Sequence, residues 1–284
     1  MQETRGPLLL IGGAEDKTGR RVILEHFVAL AGGARAQIVV IASASSFEDL
    51  VGQRYVAIFQ DLGVRRAEML QVRSRIETRH VIPLEQLDHA TGIFITGGDQ
   101  LKLTALFGGT PIAERLRKRS REGCVIAGTS AGASVAAEHM LAYGAGGLTP
   151  RKAMMQFAPG LGLISGVVVD QHFGARNRAG RLMTAVAHNP DLIGVGLDED
   201  TAVEISTEGH LTVIGRGAVM IVDGEDVSFS DIHYIIEGAP LSIFGLRVHM
   251  LAHGFSFDLA SRLPAAPMAA PSGSEAGLLF GEGI

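Results

Sequence analysis

Five short, almost uninterrupted apolar runs punctuate the first two thirds of the chain: PLLLIGG from Pro7, AQIVVIASAS from Ala36, GIFITGG from Gly92, CVIAG from Cys124 and SGVVVDQH from Ser165. Runs this dense predict strands buried on both faces, the signature of a parallel sheet covered by helices. Between them, RRVILEHFVALAG and EDLVGQRYVAIFQDLG space their apolar residues as helices do and stop at glycine. Pro111 opens another predicted helix, PIAERLRKRSREG, whose basic run reads as a solvated face. Past Asp191 the rhythm shortens to LIGVGLDED, TAVEIST, HLTVIGRG, AVMIVDG and LRVHMLAHGFSFDL, which predicts hairpins or a β-rich extension packed on the main sheet. The closing PAAPMAAPSGSEAGLLFGEGI has the Pro, Ala, Gly and Ser content of a flexible tail over residues 264–284, after a single α/β domain over residues 1–263.

Composition narrows the function more than the fold. With 46% hydrophobic and 19% charged residues the chain reads as a soluble globular protein. A net charge of -5 and an isoelectric point near 6.1 argue against a nucleic-acid partner, which would demand a basic face. One cysteine, Cys124, rules out an intramolecular disulfide. The amino-terminal apolar run is too short for a signal peptide and no stretch reaches bilayer length, so the expected setting is cytoplasmic with no membrane partner.

Chemistry enters at AGTSAGAS, Ala127 to Ser134, directly after CVI. Gly128-Thr129-Ser130-Ala131-Gly132 fits GxSxG, in which a sharp strand-to-helix turn exposes a nucleophilic serine and tolerates only small neighbours. Such a serine needs a base. Of ten histidines, His26 and His139 fall in predicted helices, His188 near a helix end, and His80, His89 and His210 among polar residues. His249 and His253 have the spacing of a zinc pair but lack the accompanying glutamate, so no metal is expected. His172 ends a buried apolar strand, where doubly wound sheets place their ligands.

Acids and cations follow. Asp198, Glu199 and Asp200 lie at another strand end, and any one of them can orient an imidazole; Asp170, two residues before His172 on the same strand, is a rival. Arg176, Arg178 and Arg181 suit a clamp for carboxylates. Gly97 and Gly98 offer an unobstructed backbone at a strand end, so the N–H groups of Gly98 and Ala131 form a candidate oxyanion hole. The order serine, histidine, acid differs from that of α/β-hydrolases unless Asp170 is the acid, and GLGLISG has the wrong spacing for a dinucleotide loop.

The motifs LIGGAEDK, TGGDQ, GTSAGAS, GLGLISGVVVDQHFGARNRAGRL and IGVGLDEDTAVEI, between Pro7 and Val222, resemble those of the cyanophycinases, serine peptidases related to the aspartyl dipeptidase peptidase E. The resemblance implies a flavodoxin-like, doubly wound, mostly parallel sheet related to class I glutamine amidotransferases. It also implies hydrolysis of cyanophycin, a poly-aspartate with arginine on each β-carboxylate, to β-Asp-Arg dipeptides, by an enzyme that is a homodimer and needs no cofactor. By motif it makes Ser130 the nucleophile, His172 the base and Glu199 the orienting acid, with Gln100, Asp170, Gln171, Arg176, Arg178 and Arg181 as substrate contacts. Two other readings stand beside it: a peptidase E-like dipeptidase for α-aspartyl peptides, and a non-catalytic relative that binds an acidic peptide.

Overall fold

The computed structural model describes residues 6–267. Strands β1 (Leu8–Ile11), β2 (Gln37–Ile41), β3 (Arg66–Met69), β4 (Gly92–Ile95) and β5 (Val125–Thr129) run parallel in the spatial order β1-β5-β4-β2-β3. Helices α1 (Val22–Leu30), α2 (Glu48–Asp61), α3 (Val81–His89), α4 (Gln100–Phe107) and α5 (Pro111–Arg121) make the crossovers. Period-2 alternation sorts β1 cleanly: Leu8 and Leu10 enter the core on one face of the sheet, Leu9 and Ile11 that on the other. On the second face Phe27, Tyr55, Phe59 and Phe94 form a cluster with ring centroids 4.8 to 6.3 Å apart.

The chain passes from β2 outward to β3 and then back across to β4, so the winding reverses between β2 and β4. Crevices outside the carboxyl ends of strands at such a reversal are where doubly wound sheets bind ligands. Here that crevice is bordered by Ala44 after β2 and Gly98 after β4, whose backbones lie against each other. The short helix α6 (Ala131–Ser134) starts at the adjoining end of β5.

A hairpin, β6 (His139–Gly144) and β7 (Met155–Pro159), follows; then β8 (Val167–Gln171), α7 (Ala179–His188) and β9 (Ile193–Leu197) form a parallel crossover in a second sheet. Most of the remaining strands split between the two sheets. β10 (Thr201–Ile205) and β11 (His210–Gly215) extend the main sheet antiparallel from β1, whereas β12 (Val219–Asp223) joins β9. After the small ribbon of β13 (Phe229–Ser230) and β14 (Ile243–Phe244), β15 (Arg247–Leu251) pairs with β12. β16 (Ser256–Asp258) and β17 (Leu263–Ala265) close the far edge of the main sheet, which has nine strands among the described residues. The β-rich extension is therefore the antiparallel flank of both sheets. Among the described residues no helix is long and apolar enough to cross a membrane.

Several sequence expectations are adjusted. β3 escapes the apolar pattern because it is an edge strand of sequence RAEM with one buried residue. His139 lies in a strand, β6, not in a helix. The strand ending before His172 belongs to the second sheet, not to the one that carries Ser130. Pro264 and Ala265, placed in the tail by composition, pair with Phe257 and Ser256, and residues 268–284 lie outside the described residues.

The aromatic cluster packs α1 and α2 onto the sheet, and Phe94 touches all three partners. Phe94→Ala is expected to cost about 3–5 kcal/mol of stability. Denaturant unfolding followed by circular dichroism checks this, with an unchanged spectrum before the transition.

Candidate active site

The end of β1 organises the site. Ile11 accepts the Ser130 N–H at 2.9 Å, Gly12 accepts the His172 N–H at 2.8 Å, and Gly13 accepts the Asp200 N–H at 2.9 Å. The three donors all hold a left-handed backbone, with φ of 53°, 51° and 48°. Side chains rarely tolerate this region, and each such residue costs of order 1–3 kcal/mol. Successive carbonyls of one strand end thus fix three strained positions on three different loops.

At the first loop, β5 turns into α6 through Ser130, with Ala133 and Ser134 donating to the Ser130 carbonyl at 3.0 and 3.1 Å. Gly128 faces the Gly132 carbonyl and Gly132 faces the Ile95 carbonyl so closely that a Cβ on either would collide with backbone. This is the physical content of the GxSxG spacing. The two serines separate here: Ser130 borders the site, whereas Ser134 is buried within α6.

Ser130 Oγ lies 3.0 Å from His172 Nε2, and His172 Nδ1 lies 2.6 Å from Glu199 Oε1. With the hydroxyl donating to Nε2, the tautomer carries its proton on Nδ1 and donates it to Glu199. The acidic trio is resolved by its partners. Asp198 accepts the N–H groups of Gly174 at 2.9 Å and Ala218 at 3.2 Å, Asp200 accepts that of Asp16 at 2.8 Å, and Glu199 alone turns to His172. Asp170 is no rival, because the left-handed turn at His172 ends the strand alternation that would have aligned the two side chains.

Asp170 instead lies 1% exposed beneath the strand end. Arg181 Nε donates to its Oδ2 at 2.6 Å and Arg181 Nη2 to Oδ1, while Arg178 Nη1 reaches Oδ1 at 3.1 Å. Arg181 also holds the Gly144 carbonyl at 3.0 Å, and Arg178 the Gln171 carbonyl. Burial, with help from Arg181 and Arg176, lowers the Arg178 pKa to about 10 despite the opposing pull of Asp170. The expected trio of arginine clamps thus becomes two guanidiniums committed to a buried carboxylate and one, Arg176, exposed on the loop before α7. The Asp170 side chain itself has no solvent contact.

The other expected residues are placed as follows. Gln171 Oε1 faces Ser130 Oγ at 3.4 Å. Gln100 Nε2 donates to the Leu141 and Ala142 carbonyls at 3.2 and 2.5 Å, tying α4 to β6. Gly97 packs on the serine, where a Cβ would sit 3.1 Å from that of Ser130. The N–H groups of Gly98 and Ala131 have no backbone acceptor among the described residues. His249 stacks near Phe257 and His253 Nδ1 accepts the Gly215 N–H at 3.3 Å, so the pair points to separate partners. A cavity of about 820 Å³ opens at the start of β8 and β9, beside Val167 and Ile193, at the opposite end of those strands from Gln171 and His172.

Sequence reasoning left the segment after β1 without a role. Its two glycines and following acids, directly after a predicted strand, were the available signal. Besides the Gly12 and Gly13 carbonyls it supplies Glu15, which is 3% exposed yet ionisable.

A model of peptidase family S51 matches residues 8–213. The chain is 43% identical over 267 residues to a cyanophycinase of Trichormus variabilis, covering 93% of this chain and 90% of that protein. It is 42% identical over 266 residues to a cyanophycinase of Geminocystis herdmanii, covering 93% and 98%. Among solved structures, a peptidase from an acI-B1 Actinobacterium superposes with a TM-score of 0.66 at 22% identity, covering 91% of this chain and 98% of that one, a likeness of fold.

Gly13 combines φ of 99° with a position where a Cβ would lie 2.5 Å from His172 Cε1. Gly13→Ala is therefore expected to push the imidazole off Ser130, slowing fluorophosphonate labelling of the serine by about 100-fold, the scale of a 1 Å misplacement. Mass spectrometry of the labelled protein over time reads the effect.

Proposed function

We propose, for a chain that belongs to peptidase family S51 and is a serine-type peptidase, that its substrate is cyanophycin and that Ser130, His172 and Glu199 perform the cleavage. The substrate assignment is supported by the identity to cyanophycinases across nine tenths of the chain. The residue assignment is carried by one observation, the hydrogen-bond chain from Ser130 Oγ through His172 to Glu199 at 3.0 and 2.6 Å.

Ser130 Oγ attacks an α-peptide carbonyl of the aspartate backbone as His172 Nε2 takes its proton. Glu199 keeps the Nδ1–H in place and stabilises the imidazolium. The N–H groups of Ala131 and Gly98 receive the oxyanion. His172 then protonates the leaving amine, and the same imidazole activates the water that hydrolyses the acyl-enzyme, restoring Ser130. Every step uses groups of this chain alone.

Each arginyl branch of the polymer presents a free carboxylate. Arg176, exposed beside the site, is the guanidinium available to it, and Gln171 lies against the nucleophile. Asp170, Arg178 and Arg181 support the His172 strand end from below. A homodimer in the cytoplasm, releasing nitrogen from a stored polymer, completes the reading.

Incubation with insoluble cyanophycin tests it. The unaltered protein is expected to clear the suspension and release β-Asp-Arg, identified by mass, while Ser130→Ala loses at least about 1,000-fold in rate. Cleavage confined to α-aspartyl dipeptides would replace this substrate by that of a peptidase E-like enzyme, and binding without turnover would remove the catalytic reading altogether.

A further inference from the structure

Among the buried ionisable groups that the mechanism leaves unused, Glu15 adjoins the nucleophile turn. Glu15, four residues past the end of β1, is enclosed by donors: Thr129 Oγ1 at 2.6 Å from Oε2, the Tyr55 hydroxyl on Oε1, and Lys17 Nζ 3.2 Å from Oε1. Lys17 also donates to the Glu15 carbonyl at 3.1 Å, and its ammonium sits 5.5 Å from the centre of the Tyr55 ring. Thr129 and Tyr55 are buried with it. Burial, and then the charge and hydrogen bond of Glu15, push the Tyr55 hydroxyl's pKa far up, so it remains a donor.

A carboxylate in a protein interior is costly unless it is paired and hydrogen-bonded. This one is fully engaged, and the engagement ends on the residue that precedes the nucleophile. Thr129 is the last residue of β5, and Ser130 follows it at φ 53° and ψ -113°. On one side the elbow is held by the Ser130 N–H on the Ile11 carbonyl. On the other, the strand end must not twist as the chain reverses. The Thr129 hydroxyl on Glu15 supplies that second anchor, from the face of the sheet that Tyr55 and α2 cover.

We infer that Glu15 is a positioning residue for the nucleophile: clamped by Tyr55 and Lys17, its carboxylate holds the Thr129 hydroxyl and so fixes the turn that aims Ser130 Oγ at His172. It touches neither Ser130 Oγ nor His172 and acts only through Thr129. The inference rests on the proposed role of Ser130.

Four variants test it: Glu15→Gln, which turns one acceptor into a donor, Thr129→Val, Thr129→Ser, and the double variant E15Q/T129V. The expected result is a fall in kcat of about 10- to 100-fold for Glu15→Gln and Thr129→Val, with KM within twofold. Fluorophosphonate labelling of Ser130 should slow in parallel. Thr129→Ser, which keeps the hydroxyl, should recover most of the rate, and the double variant should be no slower than the worse single one. Thermal melts run alongside count the folded enzyme. Loss of activity only in proportion to loss of folded protein overturns the inference, as does normal kcat and labelling in Thr129→Val, a near-isosteric change that spares Glu15 itself. Ser130→Ala separates the two levels: if it retains activity, the assignment of the nucleophile fails, whereas a dead Ser130→Ala beside a fully active Thr129→Val removes the role of Glu15 alone.

Discussion

The carbonyl oxygens of Ile11, Gly12 and Gly13 are the interaction on which the site depends. A backbone hydrogen bond contributes only about 0.5–1.5 kcal/mol net, so these three matter through direction more than strength. Each receives the N–H of a residue in the left-handed region: Ser130, His172 and Asp200. The strain is tolerable because those N–H groups have a fixed partner, and the partners are consecutive along one chain. The relative placement of Ser130, His172 and the Glu199–Asp200 turn is therefore inherited from the spacing of peptide units along one strand end.

Sheet topology explains why β1 can do this. It lies between β5, to which it is parallel, and β10, to which it is antiparallel, with Ile11 opposite both Thr129 and Ala202. The end of β5 leads into Ser130, and the start of β10 follows the Glu199 turn. A parallel neighbour ends where β1 ends, and an antiparallel neighbour begins there. Two of the three site loops thus meet at the end of β1 by register alone. The third arrives from the second sheet, where the His172 N–H on Gly12 docks the end of β8 on β1, and the Phe173 N–H on the Leu197 carbonyl at 3.0 Å ties the same turn to β9.

The buried strands were legible because parallel strands covered on both faces write themselves as dense apolar runs, and the elbow because its glycines are forced by backbone contact. Edge strand β3 was not, since one buried residue leaves no period to read. Ser130, His172 and Glu199 were visible as strand-end residues in an order, and the resemblance named their roles. Which acid of the trio turns to His172 was settled by Asp198 and Asp200 bonding backbone elsewhere, a matter of three-dimensional neighbours. The strand alternation that nominated Asp170 failed at a residue with positive φ, which no periodicity argument detects.

The arginines carry the same lesson into electrostatics. Three guanidiniums within six positions look equivalent as charges, yet desolvation divides them. Two face a carboxylate that has no solvent contact, and removing either would leave charge in the interior with part of its compensation gone. Arg176, exposed on its loop, keeps its hydration. The His172 strand end is thus underlain by a dry ion cluster, with a hydrated cation on the exposed loop beside it.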